Sequence, residues 1–170
     1  MKAIKALLSL LVCAASIAFV TRMVLPKLEC NRAKGIVNRS LARLWDSGRE
    51  FERIDVARRN VEMCRKCIAR YPQDHHWYYL LGLNLDILDD REEAIRNLEY
   101  SLTLADRPEV YGRLAVMQVE AGNVEAARAA LLKASTFQIG YADLVAPPMR
   151  IEVQHEVLER YTRLTGKPRP

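Results

Sequence analysis

The residues with the sharpest chemical potential are Cys64-Arg65-Lys66-Cys67. Two thiols in a C-x-x-C spacing, flanked by cations, could stabilise a thiolate and exchange disulfides with client cysteines. Cys30 is a further thiol that could pair with either one. His75 and His76 come closely enough behind to raise zinc as a second chemistry. Adjacent histidines rarely turn toward one ion, however, and no second Cys pair completes a common structural site. Asp89, Asp90, Glu92 and Glu93 lack the alternating spacing of a calcium loop. They read as a turn and then the first turn of a helix, where carboxylates answer the helix dipole. His155 lies beside Glu156 and Glu159 on a polar helical stretch and reads as solvated. No Ser/His/Asp order, P-loop or G-x-G-x-x-G occurs, so neither an enzyme nor a cofactor or metal is expected.

The elements around the thiols decide between these roles. A redox pair sits at a helix N-terminus, where the dipole favours the thiolate. Here Cys64 and Cys67 fall in the middle of a helical pattern spanning about 51–71, at positions expected to face a core. Packing is therefore their expected role, with a disulfide or redox use of Cys64, Cys67 and Cys30 as the alternative.

The chain has 170 residues, half of them apolar and 28% charged, enough for one core and too ordered for a disordered tail. Its net charge of +5 is banded. Residues 21–73 carry a net +7 and residues 74–127 a net −7. A banded pattern argues against nucleic acid as partner, whereas a basic stretch beside an apolar N-terminus suits an anionic membrane surface.

That N-terminus is expected to cross the membrane. Lys2 and Lys5 precede an uncharged run from Ala6 to Val20, and Met23-Val24-Leu25 extends it to Pro26. Residues 3–25 as a helix would span the hydrocarbon core and contact the lipid bilayer directly, with Lys5 and Arg22 snorkelling. A cleaved secretory signal ending near Ser16-Ile17-Ala18 is the competing reading, disfavoured by the apolar residues after it. Arg22, Lys27, Arg32 and Lys34 outweigh Lys2 and Lys5, which by charge count favours a cytoplasmic soluble domain. Short anchors with a basic start often export the domain behind them, and the exported, periplasmic side of a bacterial inner membrane is the side expected here.

Beyond residue 30 the patterns are helical, and they repeat. Tyr78, Leu81, Gly82, Ala94 and Leu98 recur 33 residues later as Tyr111, Leu114, Ala115, Ala127 and Leu131. One repeat earlier, Ala94, Leu98 and Ser101 correspond to Asn60, Cys64 and Cys67. Tyr78-x-x-Leu81-Gly82-x-x-Leu85 and Ala94-x-x-x-Leu98-x-x-Ser101 form the two halves of one unit, joined by Asp90-Arg91-Glu92-Glu93. Gly122-Asn123-Val124-Glu125 repeats that join, and Pro72 closes the preceding unit. On these residues the chain resembles the tetratricopeptide-repeat family. It departs at Gln118, where an aromatic is expected, and at Asp106 and Ile139, where proline is expected.

The resemblance implies an all-α fold, a TPR-like solenoid of about three helical hairpins plus a capping helix behind one transmembrane helix. The expected organisation is an anchor over 1–26, an irregular first hairpin over 27–74 broken at Ser47-Gly48, repeats over 75–107 and 108–136, and a loop, cap and frayed tail over 137–170. Helices are expected at about 3–25, 30–46, 51–71, 75–88, 91–104, 108–120, 124–136 and 148–165. Asp74 is expected to cap the helix after it, and Pro147-Pro148 to preset the last helix, which Gly166 stops. In that helix Val153, Val157, Leu158, Tyr161 and Leu164 form the apolar stripe, with Glu152, Glu156, Glu159 and Arg163 outward. Residues 137–147 have no assignable element and read as loop.

The family register places a concave groove on His76, Tyr79, Leu83, Asp86 and Ile87, then on Glu109, Gly112, Arg113, Val116, Val119 and Glu120. The groove lacks the Lys/Asn set with which some family members clamp a C-terminal carboxylate. An amphipathic or extended segment of a protein partner suits it better. The expected function is a membrane-anchored adaptor, assembly factor or accessory subunit whose partners are subunits of a membrane complex, with no small-molecule substrate. A periplasmic thiol-active assembly protein using Cys64 and Cys67 is the alternative.

Overall fold

The computed structural model describes the backbone of residues 2–46 and 50–165, and the side chains of residues 10–44 and 52–165. The Ser47-Gly48 break, Gly166 and the Lys167–Pro170 tail lie outside the described residues, as do the side chains of Lys2 and Lys5. Every described element is helical, with no strand among the described residues. The chain divides into two compact units, Met1–Gly48 and Arg49–Pro170. That division falls within 27–74, the segment expected to form one hairpin.

The N-terminal unit is one unbroken helical run. Helix α1 (Lys2–Phe19) passes through a π-turn (Val20–Val24) into α2 (Leu25–Asp46). The sequence predicts a break near Pro26, and the structure has none. Proline lacks an N–H and its ring collides with the carbonyl four residues back. The wider turn just before it resolves both conflicts: the Leu25 N–H reaches back to the Val20 carbonyl, and the chain re-enters α-geometry with Pro26 in the first turn. Thr21 Oγ1 donates to the Ile17 carbonyl at 2.9 Å and the Ala18 carbonyl at 3.2 Å on the same stretch. Within Leu10–Leu44 the helix is long and apolar enough to cross a membrane, and none of its most apolar window is buried.

The second unit is a chain of helices packed in sequence order. They are α3 (Glu50–Arg70), α4 (His75–Ile87), α5 (Arg91–Leu104), α6 (Pro108–Glu120), α7 (Val124–Phe137) and α8 (Met149–Thr165). Local chemistry marks the starts of α4, α5 and α6. Asp74 accepts the His76 N–H at 3.2 Å, as expected for a cap, and Asp90 accepts the Glu93 N–H at 3.4 Å. Pro108 fills the first position of α6, where a missing N–H has no consequence. The α4–α5 and α6–α7 turns are copies of one another. Asp89 (φ 61°) and Gly122 (φ 77°) occupy the left-handed position in each, and the next N–H returns to Leu85 O at 3.0 Å or Gln118 O at 2.8 Å. The acidic cluster at 89–93 is thus turn, cap and first helical turn.

The core repeats as well. Trp77, Leu80, Leu81 and Leu85 of α4 are buried with Ala94 and Leu98 of α5, then Leu114, Ala115 and Met117 of α6 with Ala127, Leu131 and Ala134 of α7. Gly82 permits the close approach in the first pair: a Cβ there would lie 2.9 Å from Leu98 Cδ2 and 3.1 Å from the Ala94 carbonyl. Polar residues at repeat positions are buried with partners. Asn60 Nδ2 donates to Asn84 Oδ1 at 2.8 Å, and Asn84 Nδ2 donates to the Leu80 carbonyl at 2.7 Å. Ser101 donates to the His75 carbonyl at 2.9 Å. Gln118, placed where the repeat pattern has an aromatic, is buried and accepts from Asn123 Nδ2 at 2.8 Å. It exchanges ring packing for a hydrogen bond that ties the helix end to its turn.

The last helix differs from expectation in its stripe. Val153 and Val157 are buried, but Leu158 is 39% and Leu164 86% exposed. Tyr161 is half-buried, so the covered edge runs through Val153, Val157 and Tyr161, and Leu158 and Leu164 lie off it. Glu156, expected outward, is instead half-buried and accepts from Arg128 of α7 at 2.5 Å and from Arg160 at 2.5 Å. Pro148 acts just before the helix, its carbonyl receiving the Ile151 and Glu152 N–H groups. Residues 137–147, expected to be loop, contain a 3₁₀ turn at Ile139–Leu144.

Candidate functional site

The expected groove residues lie on α4 and α6, and the structure uses several of them internally. Asp86 and Arg113 form an ion pair with 10% and 23% of their side chains exposed, bridging the two helices. His76 and Tyr79 rings lie 5.9 Å apart. Leu83, Ile87 and Val116 are half-buried. Glu120 turns toward α5, its carboxylate 3.5 Å from Arg91. Glu109 and Val119 are exposed.

Tyr79 stands at the centre of this face. Burial pushes its phenol pKa upward, Glu109 adds to the rise, Arg113 opposes it, and Tyr141 adds to it again. The presence of Tyr141 is what sequence reasoning missed. The 3₁₀ turn lays Tyr141 and Leu144 over Gly112, where a Cβ would meet Tyr141 Cδ1 at 2.8 Å and Leu144 Cδ1 at 2.9 Å. The chain therefore covers part of its own expected groove. Gly112 was the available signal: a residue with no side chain in a partner-facing row leaves room for something to sit on it.

The apolar surface left open is farther along. A cleft of about 530 Å³ is lined by Val119 at the end of α6, Val124 at the start of α7, and Val145, Pro147, Pro148 and Met149 before and at the start of α8. Val119 is 41% and Val124 57% exposed. Of the expected groove residues, Val119 alone reaches it.

The thiols are placed for packing. Cys64 and Cys67 are buried in α3 and, like Cys30, are free thiols. Burial and the neighbouring Cys67 push the Cys64 thiol up to about 12. Disulfide exchange needs a thiolate near neutral pH, and this environment holds the proton on. Among the described residues no three His, Cys, Asp or Glu side chains gather to hold a metal ion. Compared with known families, curated proteins and solved structures, the chain finds no match.

Proposed function

We propose that the protein is a non-catalytic adaptor or assembly factor, or an accessory subunit of a membrane complex. It is tethered by its N-terminal helix and holds a protein partner on a TPR-like helical body. The observation that carries this reading is the most apolar window of the helix within Leu10–Leu44, none of which is buried. An apolar face that the fold leaves bare is stable in lipid and a liability in water. The run from Lys2 to Asp46 is about 68 Å long at 1.5 Å per residue, roughly twice the hydrocarbon core. The length in excess of the core extends past the bilayer, and there Cys30, Val37, Leu41 and Leu44 are buried.

The sequence-ordered helices, the matching turns at Asp89 and Gly122, and the close approach at Gly82 support the TPR-like assignment. Burial of the thiols and the open apolar surface at Val119 and Val124 support binding over catalysis. The soluble body lies on the exported side in this reading.

The test is extraction of the tagged full chain from native membranes in mild detergent, with mass spectrometry of co-purifying proteins. Stoichiometric partners that survive a salt wash are expected. Release of the protein by carbonate, or a solitary monodisperse chain, would reject the reading. Protease accessibility in spheroplasts tests the side.

A further inference from the structure

The apolar span continues through the π-turn into α2 without a break, and that continuity sets how far each charged residue stands from the bilayer. A hydrocarbon core of about 30 Å takes about 20 residues of helix, so a span that starts after Lys5 ends near Leu25. Arg22 then lies about one turn inside that edge, Lys27 about 3 Å outside it and Arg32 about 10 Å outside. The headgroup layer adds about 5–7 Å on each side. Side chains of a helix lean toward its N-terminus, which here is back toward the bilayer, so the long Arg32 side chain reaches that layer. Arg39 and Arg43, about 21 and 27 Å out on the same helix, do not.

Arg22, Lys27 and Arg32 are exposed, and none of the three forms an ion pair among the described residues. A step of five residues advances about 140° around an α-helix, so they stand on different sides of the rod, as a collar and not a stripe. Between them only Cys30 is buried, and Leu25 and Leu28 stay 46% and 56% exposed. Aliphatic and cationic side chains thus mingle at the level where acyl chains give way to phosphates. Glu29 is the one acid from Arg22 to Arg43. Against the four cations Arg22, Lys27, Arg32 and Lys34 it leaves residues 22–34 at a net +3.

We propose that Arg22, Lys27 and Arg32 form a binding collar for anionic phospholipids of the leaflet through which the helix leaves the membrane. The lipid phosphates answer the three cations, and the acyl chains lie against the apolar span below Leu25. Charge selects the lipid class: a zwitterionic headgroup brings a cation of its own to the collar, whereas a net-negative one does not. The proposal rests on the membrane-anchored reading and names the lipid chemistry that holds the anchor at its depth.

The test reconstitutes the full chain in phosphatidylcholine vesicles with a trace of spin-labelled phosphatidylglycerol or spin-labelled phosphatidylcholine. Electron paramagnetic resonance then reads the fraction of each label immobilised beside the protein. Phosphatidylglycerol should be preferred roughly two- to fivefold, and the preference should shrink as salt rises toward about 1 M. Arg22→Gln with Lys27→Gln and Arg32→Gln should remove at least about half of it, Lys2 and Lys5 at the other edge keeping the remainder. Arg39→Gln with Arg43→Gln, the same chemistry beyond the headgroups, should leave it unchanged. All five residues are exposed and glutamine suits a helix as well as arginine or lysine, so the variants are expected to fold, which circular dichroism checks. A preference that the triple variant leaves intact, that the Arg39 and Arg43 variant reduces as much, or that Lys2→Gln with Lys5→Gln removes alone would overturn the proposal. No preference from a chain that still resists carbonate extraction would overturn it too, while leaving the membrane-anchored reading standing.

Discussion

Gly82→Ala sets two physical effects against each other. Alanine in a helix interior is favoured over glycine by about 1 kcal/mol, so helix propensity alone predicts stabilisation. The packing opposes it. The new Cβ would stand 2.9 Å from both Cγ and Cδ2 of Leu98 and 3.1 Å from the Ala94 carbonyl. Leu98 is fully buried, and Ala94 O belongs to the α5 backbone, so neither can move without separating α4 from α5. Overpacking of this kind costs about 1–3 kcal/mol, and with a rigid neighbour the upper part of the range applies. The net expectation is a loss of about 1–2 kcal/mol, seen as a fall in melting temperature of roughly 2–8 °C by circular dichroism in mild detergent. Gly112→Ala is the comparison. The nearest atoms to its Cβ would be the ring edge of Tyr141 and a terminal methyl of Leu144, a residue 49% exposed. The 3₁₀ turn can lift away there, so the loss is expected to stay below about 1 kcal/mol. A Gly82→Ala protein as stable as wild type, or more so, would refute the close α4–α5 approach.

Three further outcomes concern buried groups. Asn84→Ala removes the acceptor of the Asn60 side-chain bond and leaves a hole in the α3–α4 contact, which should cost about 1–3 kcal/mol in denaturant unfolding. Cys64 and Cys67 should resist alkylation at neutral pH and react on denaturation. Because the Cys64 pKa is raised from 9.0 to about 12 in the fold, its contribution to stability is intact below pH 9 and is lost between pH 9 and about 12. Cys64→Ala should flatten that part of the pH–stability profile. Arg113→Ala leaves Asp86, 10% exposed, without its cation and should destabilise the body by about 1.5–3 kcal/mol, whereas Asp86→Asn with Arg113→Gln should recover part of the loss, as a double-mutant cycle would measure.

Much of the fold is legible in residue order because its signals are local. Helix α5 occupies the expected 91–104 and α6 the expected 108–120, since Asp90 and Pro108 mark their starts and apolar spacing marks their faces. The helix through Pro26 was not legible. Whether a proline ends a helix or is absorbed by a wider turn depends on how the preceding backbone adjusts, and a single letter does not state it. The stripe of α8 was partly legible: its periodicity names Leu158 and Leu164 as apolar but cannot say that the covered edge follows Val153, Val157 and Tyr161 and leaves those two exposed.

For the candidate site the division is sharper. Residue types and spacing alone determined the all-helical class, the apolar N-terminal span and the repeat register that buries Ala94, Leu98, Ala127 and Leu131, because each depends on periodicity along one helix. They also located Cys64 and Cys67 in a helix interior, which already argued for packing. Tertiary structure decided what those side chains meet. It paired Asp86 with Arg113, buried Gln118 against Asn123, laid Tyr141 and Leu144 across Gly112, and opened a cleft between three helix ends. Each of these joins residues from different helices or across a turn. Such contacts depend on crossing geometry and on the path of a loop, which carry no period that a sequence can display.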